Sequence, residues 1–225
     1  MMLLLEAYLA VWLMTLVTTS TMALVGRWAG VEIEEVQYGY ARVAKFGLVR
    51  LGIFPLGGFV KFKGGDLEGT EEEHAPDALR NQPKWVQILT ISSGSLVALV
   101  LAFAILGEAA LPACLAAPRQ LFAGAWGPLT TAQQLLNDFR QVLEGRGFWA
   151  ATGLIYAKVG VLNLLPIPLL NGGNVLLVLF EVHKHPRLEQ ALLLPAFFTM
   201  MAVYGSWIVA LCEFVWQVSA SRVVT

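Results

Sequence analysis

The sequence predicts an all-α integral membrane protein of about four transmembrane helices, with a small membrane-associated β-hairpin after the first helix and a Pro/Gly break in the third. Three observations carry that expectation. The 225 residues are 57% hydrophobic and only 14% charged, more apolar than a soluble domain of this length. Four apolar runs, 1–25, 85–106, 148–182 and 191–216, each reach the roughly 20 residues that a spanning helix needs. The third run is too long for one straight span, and "NLLPIPLLNGGN", Asn163–Asn174, interrupts it.

Each element has its own signal. The first run, "MMLLLEAYLAVWLMTLVTTSTMALV", has no basic flank or small-residue cleavage site, so it reads as a retained span rather than a leader. Residues 31–64 alternate in places, are rich in Val, Phe and Tyr, and are punctuated by "PLGG". They predict two or three short strands or a hairpin. Residues 65–83 are acidic and full of breakers, a solvated loop that contains His74. Apolar residues at helical spacing predict an amphipathic surface helix over 129–144. His183 and His185 fall in a short surface turn, and the whole of 1–225 reads as a single membrane domain.

The net charge of −1 suggests no nucleic acid. Cys114 and Cys212 lie far apart and read as free apolar thiols. The tryptophans at 12, 28, 85, 126, 149, 207 and 216 fall mostly near span ends, as an aromatic belt would place them. Ten Lys/Arg lie at 27–84 and 184–187, against Arg119, Arg140, Arg146 and Arg222 on the other side. That bias predicts residues 26–84 and 183–190 in the cytoplasm and both termini outside.

Pro166 and Pro168 remove helix donors and clash with the preceding turn. In hydrocarbon the freed carbonyls must find partners, which Asn163, Asn171 and Asn174 can supply. A polar break at that depth marks an internal cavity, a re-entrant passage or a helix contact.

"NLLPIPLLNGG" resembles the Asn-Leu-x-Pro-x-Pro-x-Leu-Asp-Gly-Gly motif of the site-2 protease family of intramembrane zinc metalloproteases. "GIFPLGGFVKFKG", Gly52–Gly64, resembles that family's membrane-associated hairpin, and "GPLTTAQ", Gly127–Gln133, its Gly-Pro stretch before the third helix. Glu181 falls where relatives often carry a glutamate. The resemblance implies two His ligands and a general-base Glu from His-Glu-x-x-His on the first helix, and an Asp from the Leu-Asp-Gly motif. Anchored on "GRWAGVEIE", Gly26–Glu34, the corresponding positions hold Thr18, Thr19 and Met22, and Asn171 stands for the aspartate. On this reading no residue is catalytic, no metal ligand remains, and no cofactor is called for. "GSLVA", Gly94–Ala98, stands where relatives often show Gly-Pro-x-x-Asn, and too few residues separate the second and third spans for a PDZ domain.

The expectation is therefore a pseudoprotease in a bacterial cytoplasmic membrane. It would serve as a binding, scaffold or structural subunit whose partners are the bilayer and other integral membrane proteins or itself. Asn163, Pro166, Pro168, Asn171, Gly57, Gly58, Phe59 and Lys158 are its expected binding residues, because the hairpin and the Pro-x-Pro break hold an extended peptide in active relatives. "TTSTM", Thr18–Met22, reads as packing glue between helices. Lys158, in an apolar run, has three open readings: an ammonium in the former metal cavity beside Glu6, Thr18, Thr19, Thr21 or Asn171; a contact with another subunit's acid; or snorkelling to an interface. The rival functions are an intramembrane protease with an alternative metal site and a small transport role centred on Lys158.

Overall fold

A computed structural model describes residues 2–63, 77–182 and 185–220. Helix α1 (Met2–Trp28) is followed by strands β1 (Ile33–Phe46) and β2 (Val49–Phe62), then α2 (Lys84–Leu106), α3 (Ala110–Trp126), α4 (Leu129–Asn163), α5 (Asn171–Leu179) and α6 (Pro186–Ala220). Three stretches, Met2–Trp28, Lys84–Trp126 and Arg187–Val218, are long and apolar enough to cross a membrane. The expected third passage is not one such helix. It consists of the second half of α4, the break and the short α5. His74, His183 and most of the expected acidic loop at 65–83 lie outside the described residues.

The core is built from small residues, so the helices approach closely. Ala98, Ala102, Ala110, Cys114 and Ala157 form one buried cluster with Met14 and Tyr156. Gly153, Ala157 and Gly160 share one face of α4. A Cβ at Gly153 would meet Ile105 at 2.8 Å, and one at Gly160 would meet Leu99 at 3.0 Å. Close backbone approach of this kind is how helices associate where no hydrophobic effect drives them together. Cys114 and Cys212 are free, the first buried and the second exposed.

Helix α3 was not expected from the sequence. Pro112 sits in its first turn, where the missing N–H has no intrahelical partner to lose. Pro118 lies inside it. Trp207 of α6 donates through Nε1 to the Leu121 carbonyl at 3.0 Å and packs over Gly124. It thus joins α6 to α3 and does not belong to an aromatic belt. Trp28, Trp85, Trp126, Trp149 and Trp216 are exposed, as a belt requires.

Helix α4 begins at the expected amphipathic helix but breaks at Gly147, with φ 80 and ψ 179. Asp138 lies within electrostatic reach of the Lys158 ammonium. In a straight helix these residues would be about 30 Å apart. The two halves of α4 therefore fold back on each other about Gly147.

The β-hairpin turns at Gly47 and Leu48, not at "PLGG", which lies within β2. Its strands are longer than expected and fold over. Val36 pairs with Val60 on one edge and Val49 on the other, as Tyr38 does with Gly58 and Leu51. Gly39 (φ +76) makes the bend possible, and a Cβ on it would stand 2.8 Å from the Phe54 carbonyl oxygen. The hairpin lies along α1. Tyr8 Oη donates to the Ile53 carbonyl and Thr15 Oγ1 to the Pro55 carbonyl, both at 2.7 Å. Ser20 Oγ and Tyr38 Oη are hydrogen-bonded at 2.8 Å. From Ser20 to Tyr8 these contacts extend about 18 Å along α1.

Past the hairpin, Lys63 Nζ binds Glu32 at 2.7 Å and Asp77 at 3.2 Å. Hydrogen bonds to Glu32 and then to Asp77 raise the Lys63 pKa. Hydrogen bonding with Glu32 and then with Lys63 holds the Asp77 carboxyl below its ordinary value. Asp77 therefore steadies this tie above the ordinary carboxylate pKa, and the effect is lost as pH falls through its lowered one. Lys63 does so below the ordinary lysine pKa, and the effect is lost as pH rises through its raised one. The tie is expected to be intact at neutral pH and to open in acid. Exchange of the Leu79 amide hydrogen, which bonds the Lys63 carbonyl, should accelerate below about pH 4 relative to core amides; an unchanged ratio would contradict it.

Candidate functional site

The break is closed by its own backbone. Leu164 and Leu165 N–H groups bond back to Val161 and Leu162, Ile167 to Leu165, Leu170 to Ile167, and Asn174 to Leu170. Leu169 takes φ 85 to complete the turn. Among the described residues, no side-chain hydrogen bond from Asn163 or Asn174 to a break carbonyl is formed, contrary to expectation. Local turns satisfy the Val161, Leu162, Leu165, Ile167 and Leu170 carbonyls instead. Gly172 and Gly173 let this happen, since a Cβ on them would overlap the Leu164 and Ile167 carbonyls.

Asn171 points elsewhere. Its Nδ2 donates to Ser95 Oγ at 3.0 Å and ties the start of α5 to α2. Next to Ser95, Gly94 packs on the Thr18 carbonyl, where a Cβ would lie 2.5 Å from the oxygen. Thr18 Oγ1 donates to the Met14 carbonyl at 2.9 Å, and Thr21 Oγ1 to the Val17 carbonyl at 2.7 Å. Thr19 is buried, and a Cβ on Gly58 would overlap its hydroxyl. The positions singled out on α1, α2 and α5 thus converge. Thr18, Thr19 and Asn171 serve there as packing and hydrogen-bonding groups. At the far end of α5, Lys84 binds Glu181 at 2.7 Å and so joins α5 to the start of α2.

A cavity of about 910 Å³ lies between the hairpin and the α2–α5 wall. Met22, Gly58, Phe59, Asn171 and Asn174 line it, as do five charged residues that sequence reasoning missed: Glu35, Arg50, Lys61, Arg80 and Glu189. Glu35 and Arg50 form an ion pair. Ser95, also missed, stands within "GSLVA", where relatives often show Gly-Pro-x-x-Asn. Glu189 had a visible signal, an acid in the first turn of an apolar helix.

Lys158 is not among the residues that line this cavity. Its charged neighbour is Asp138, and the expected partners Thr18, Thr21 and Asn171 are engaged elsewhere. The ammonium therefore does not fill the Met22–Asn171 cavity, because the fold-back at Gly147 supplies an acid on another side of α4. Pro166, Pro168 and Gly57 belong to the break and to β2. The cavity lining includes neither proline, nor Gly57.

A hairpin packed along an apolar helix and a helix broken beside a cavity make up the architecture of a membrane protein. The sequence profile of Peptidase family M50 matches residues 22–203, and the chain belongs to this family, the site-2 proteases. The matched stretch begins at Met22 and leaves out Thr18 and Thr19. No individual curated protein matches the chain.

The family's chemistry implies Zn²⁺, which takes imidazole, thiolate or carboxylate ligands. The corresponding side chains here do not suit it. The Thr18 hydroxyl is bonded within its own helix, Asn171 turns an amide N–H toward Ser95, and Met22 offers only a thioether. Among the described residues, no group of three or more His, Cys, Asp or Glu could hold a metal ion.

Proposed function

We propose that this chain is a non-catalytic member of the site-2 protease family that binds other integral membrane proteins, or itself, as a scaffold or structural subunit. The observation that carries it is the use of Thr18 and Asn171 as internal hydrogen-bond donors where active relatives offer metal ligands. Thr18, Thr19, Met22 and Asn171 together provide no imidazole or carboxylate, so water activation has no donor set to act through. What remains is a cavity flanked by a hairpin, and extended segments bind such strand edges by adding a strand. The Lys/Arg bias, ten in 27–84 and 184–187 against four on the other side, supports a cytoplasmic location for residues 26–84 and 183–190. The broken third passage forms the remaining crossing.

Two measurements test this. The purified chain should hold only substoichiometric zinc, whereas the combined variant Thr18→His, Thr19→Glu, Met22→His, Asn171→Asp should take up about one Zn²⁺ per chain. Native complexes isolated in mild detergent should contain a stoichiometric membrane partner or a second copy of the chain. One tightly held zinc in the unaltered protein, with chelator-sensitive cleavage of a membrane-buried peptide, would overturn the proposal.

A further inference from the structure

One carboxylate in the cavity wall has an oxygen that no donor among the described wall residues reaches. Of the cations lining it, Arg50 is paired with Glu35 and Lys61 with Glu34 at 3.0 Å, and Arg80 is likewise engaged. Glu189 lines the same cavity from the first turn of α6 and is only 7% exposed. Its Oε2 is buried with no hydrogen-bond partner. A carboxylate oxygen kept from water without a donor is costly. Its terminal torsion is soft, so either oxygen can be presented to an incoming group.

The matching ligand brings N–H donors and one positive charge, as an ammonium or guanidinium does. Its source follows from position. The cavity reaches Arg80 and Gln87 near the start of α2, Val178 at the end of α5 and Glu189 at the start of α6. That end of the molecule is the side rich in Lys/Arg. Membrane proteins in general place lysine and arginine on the cytoplasmic flank of their spans, so a partner lying beside this chain presents such a residue at this level.

We propose that the cavity seats the lysine or arginine flanking a partner's membrane span, with Glu189 as its counter-ion and the neighbouring Asn171 and Asn174 at the same wall. The inference rests on the partner-binding reading above and adds the chemistry that selects the partner.

The test uses the full chain in mild detergent. The probes are fluorescent single-span peptides with a Leu/Ala core and one flank residue set to Lys, Arg, Gln or Glu. Binding is read by anisotropy. The Lys and Arg peptides are expected to bind at least about tenfold more tightly than the Gln peptide. The isosteric Glu189→Gln variant should lose that preference without weakening the Gln peptide, and Glu189→Asp should keep it. Equal affinity for all four flanks, or a preference that survives in Glu189→Gln, would overturn the inference. Retention of phosphatidylethanolamine that Glu189→Gln abolishes, with no flank preference, would assign the site to a lipid headgroup and overturn it too. A chain that co-purifies with a stoichiometric partner yet shows no preference sinks this inference alone; absence of both sinks the partner-binding reading as well.

Discussion

Gly173→Ala is expected to be among the most damaging single substitutions in the chain. A Cβ there would overlap the Ile167 carbonyl and stand 2.5 Å from the Pro168 nitrogen. Both obstacles are backbone, held by the short hydrogen bonds that close the break, so neither can swing aside as a flexible side chain would. Relief requires α5 to move off the turn, which strains the Asn171–Ser95 bond and the Asn171–Asn174 wall of the cavity. Overpacking of this kind costs about 3 kcal/mol. Thermal unfolding in detergent should show a large drop for Gly173→Ala and for Gly172→Ala. Gly205→Ala is the control: it sits in α6 with nothing within 4 Å of the added carbon, and no loss is expected. Equal stability of all three variants would contradict the packing described for the break.

The second effect is expected at the fold-back of α4. Lys158 is half-buried, with Asp138 as its charged neighbour. No ion-pair contact joins them and Asp138 is exposed, so the coupling acts at longer range through a screened medium and is worth about 1 kcal/mol or less. Lys158→Leu and Asp138→Leu should each destabilise the protein, since either leaves a half-compensated charge among apolar helices. The double variant should recover most of the loss. Additive single effects would show that the two halves of α4 do not communicate through these charges. The same cycle bears on the transport alternative: recovery of stability in the double variant would assign Lys158 a structural charge balance.

The long apolar elements were legible in the sequence because composition alone decides them. Helices α1, α2 and α6 cover the first, second and fourth apolar runs, and the break falls where Pro166, Pro168 and the two glycines place it. The hairpin was legible from alternation, although its turn was not, because "PLGG" looks like a turn while Gly47 supplies the positive φ that forms one. Helix α3 went unrecognised; it contains Pro118 and has Pro112 in its first turn, residues that weaken a helical signal in sequence. The fold-back at Gly147 left no periodic trace, since apolar spacing is helical on both sides of it.

The site was legible in part. Asn171, Met22, Gly58 and Phe59 were singled out and all line the cavity. Glu35, Arg50 and Glu189 were not, because what joins them is a cavity between elements far apart in the chain, and no local pattern encodes that. Lys158 shows the opposite error. Its oddity in an apolar run was visible, but the acid that answers it lies across a turn whose geometry the sequence did not reveal.

The hairpin's course beside α1 also makes the two elements dependent on each other. A pair of strands carrying Glu35 and Arg50 has backbone groups and charges that lipid does not accept, so wherever it meets the bilayer it needs protein beside it. Tyr8, Thr15 and Ser20 provide that shelter at three levels of the flanking helix.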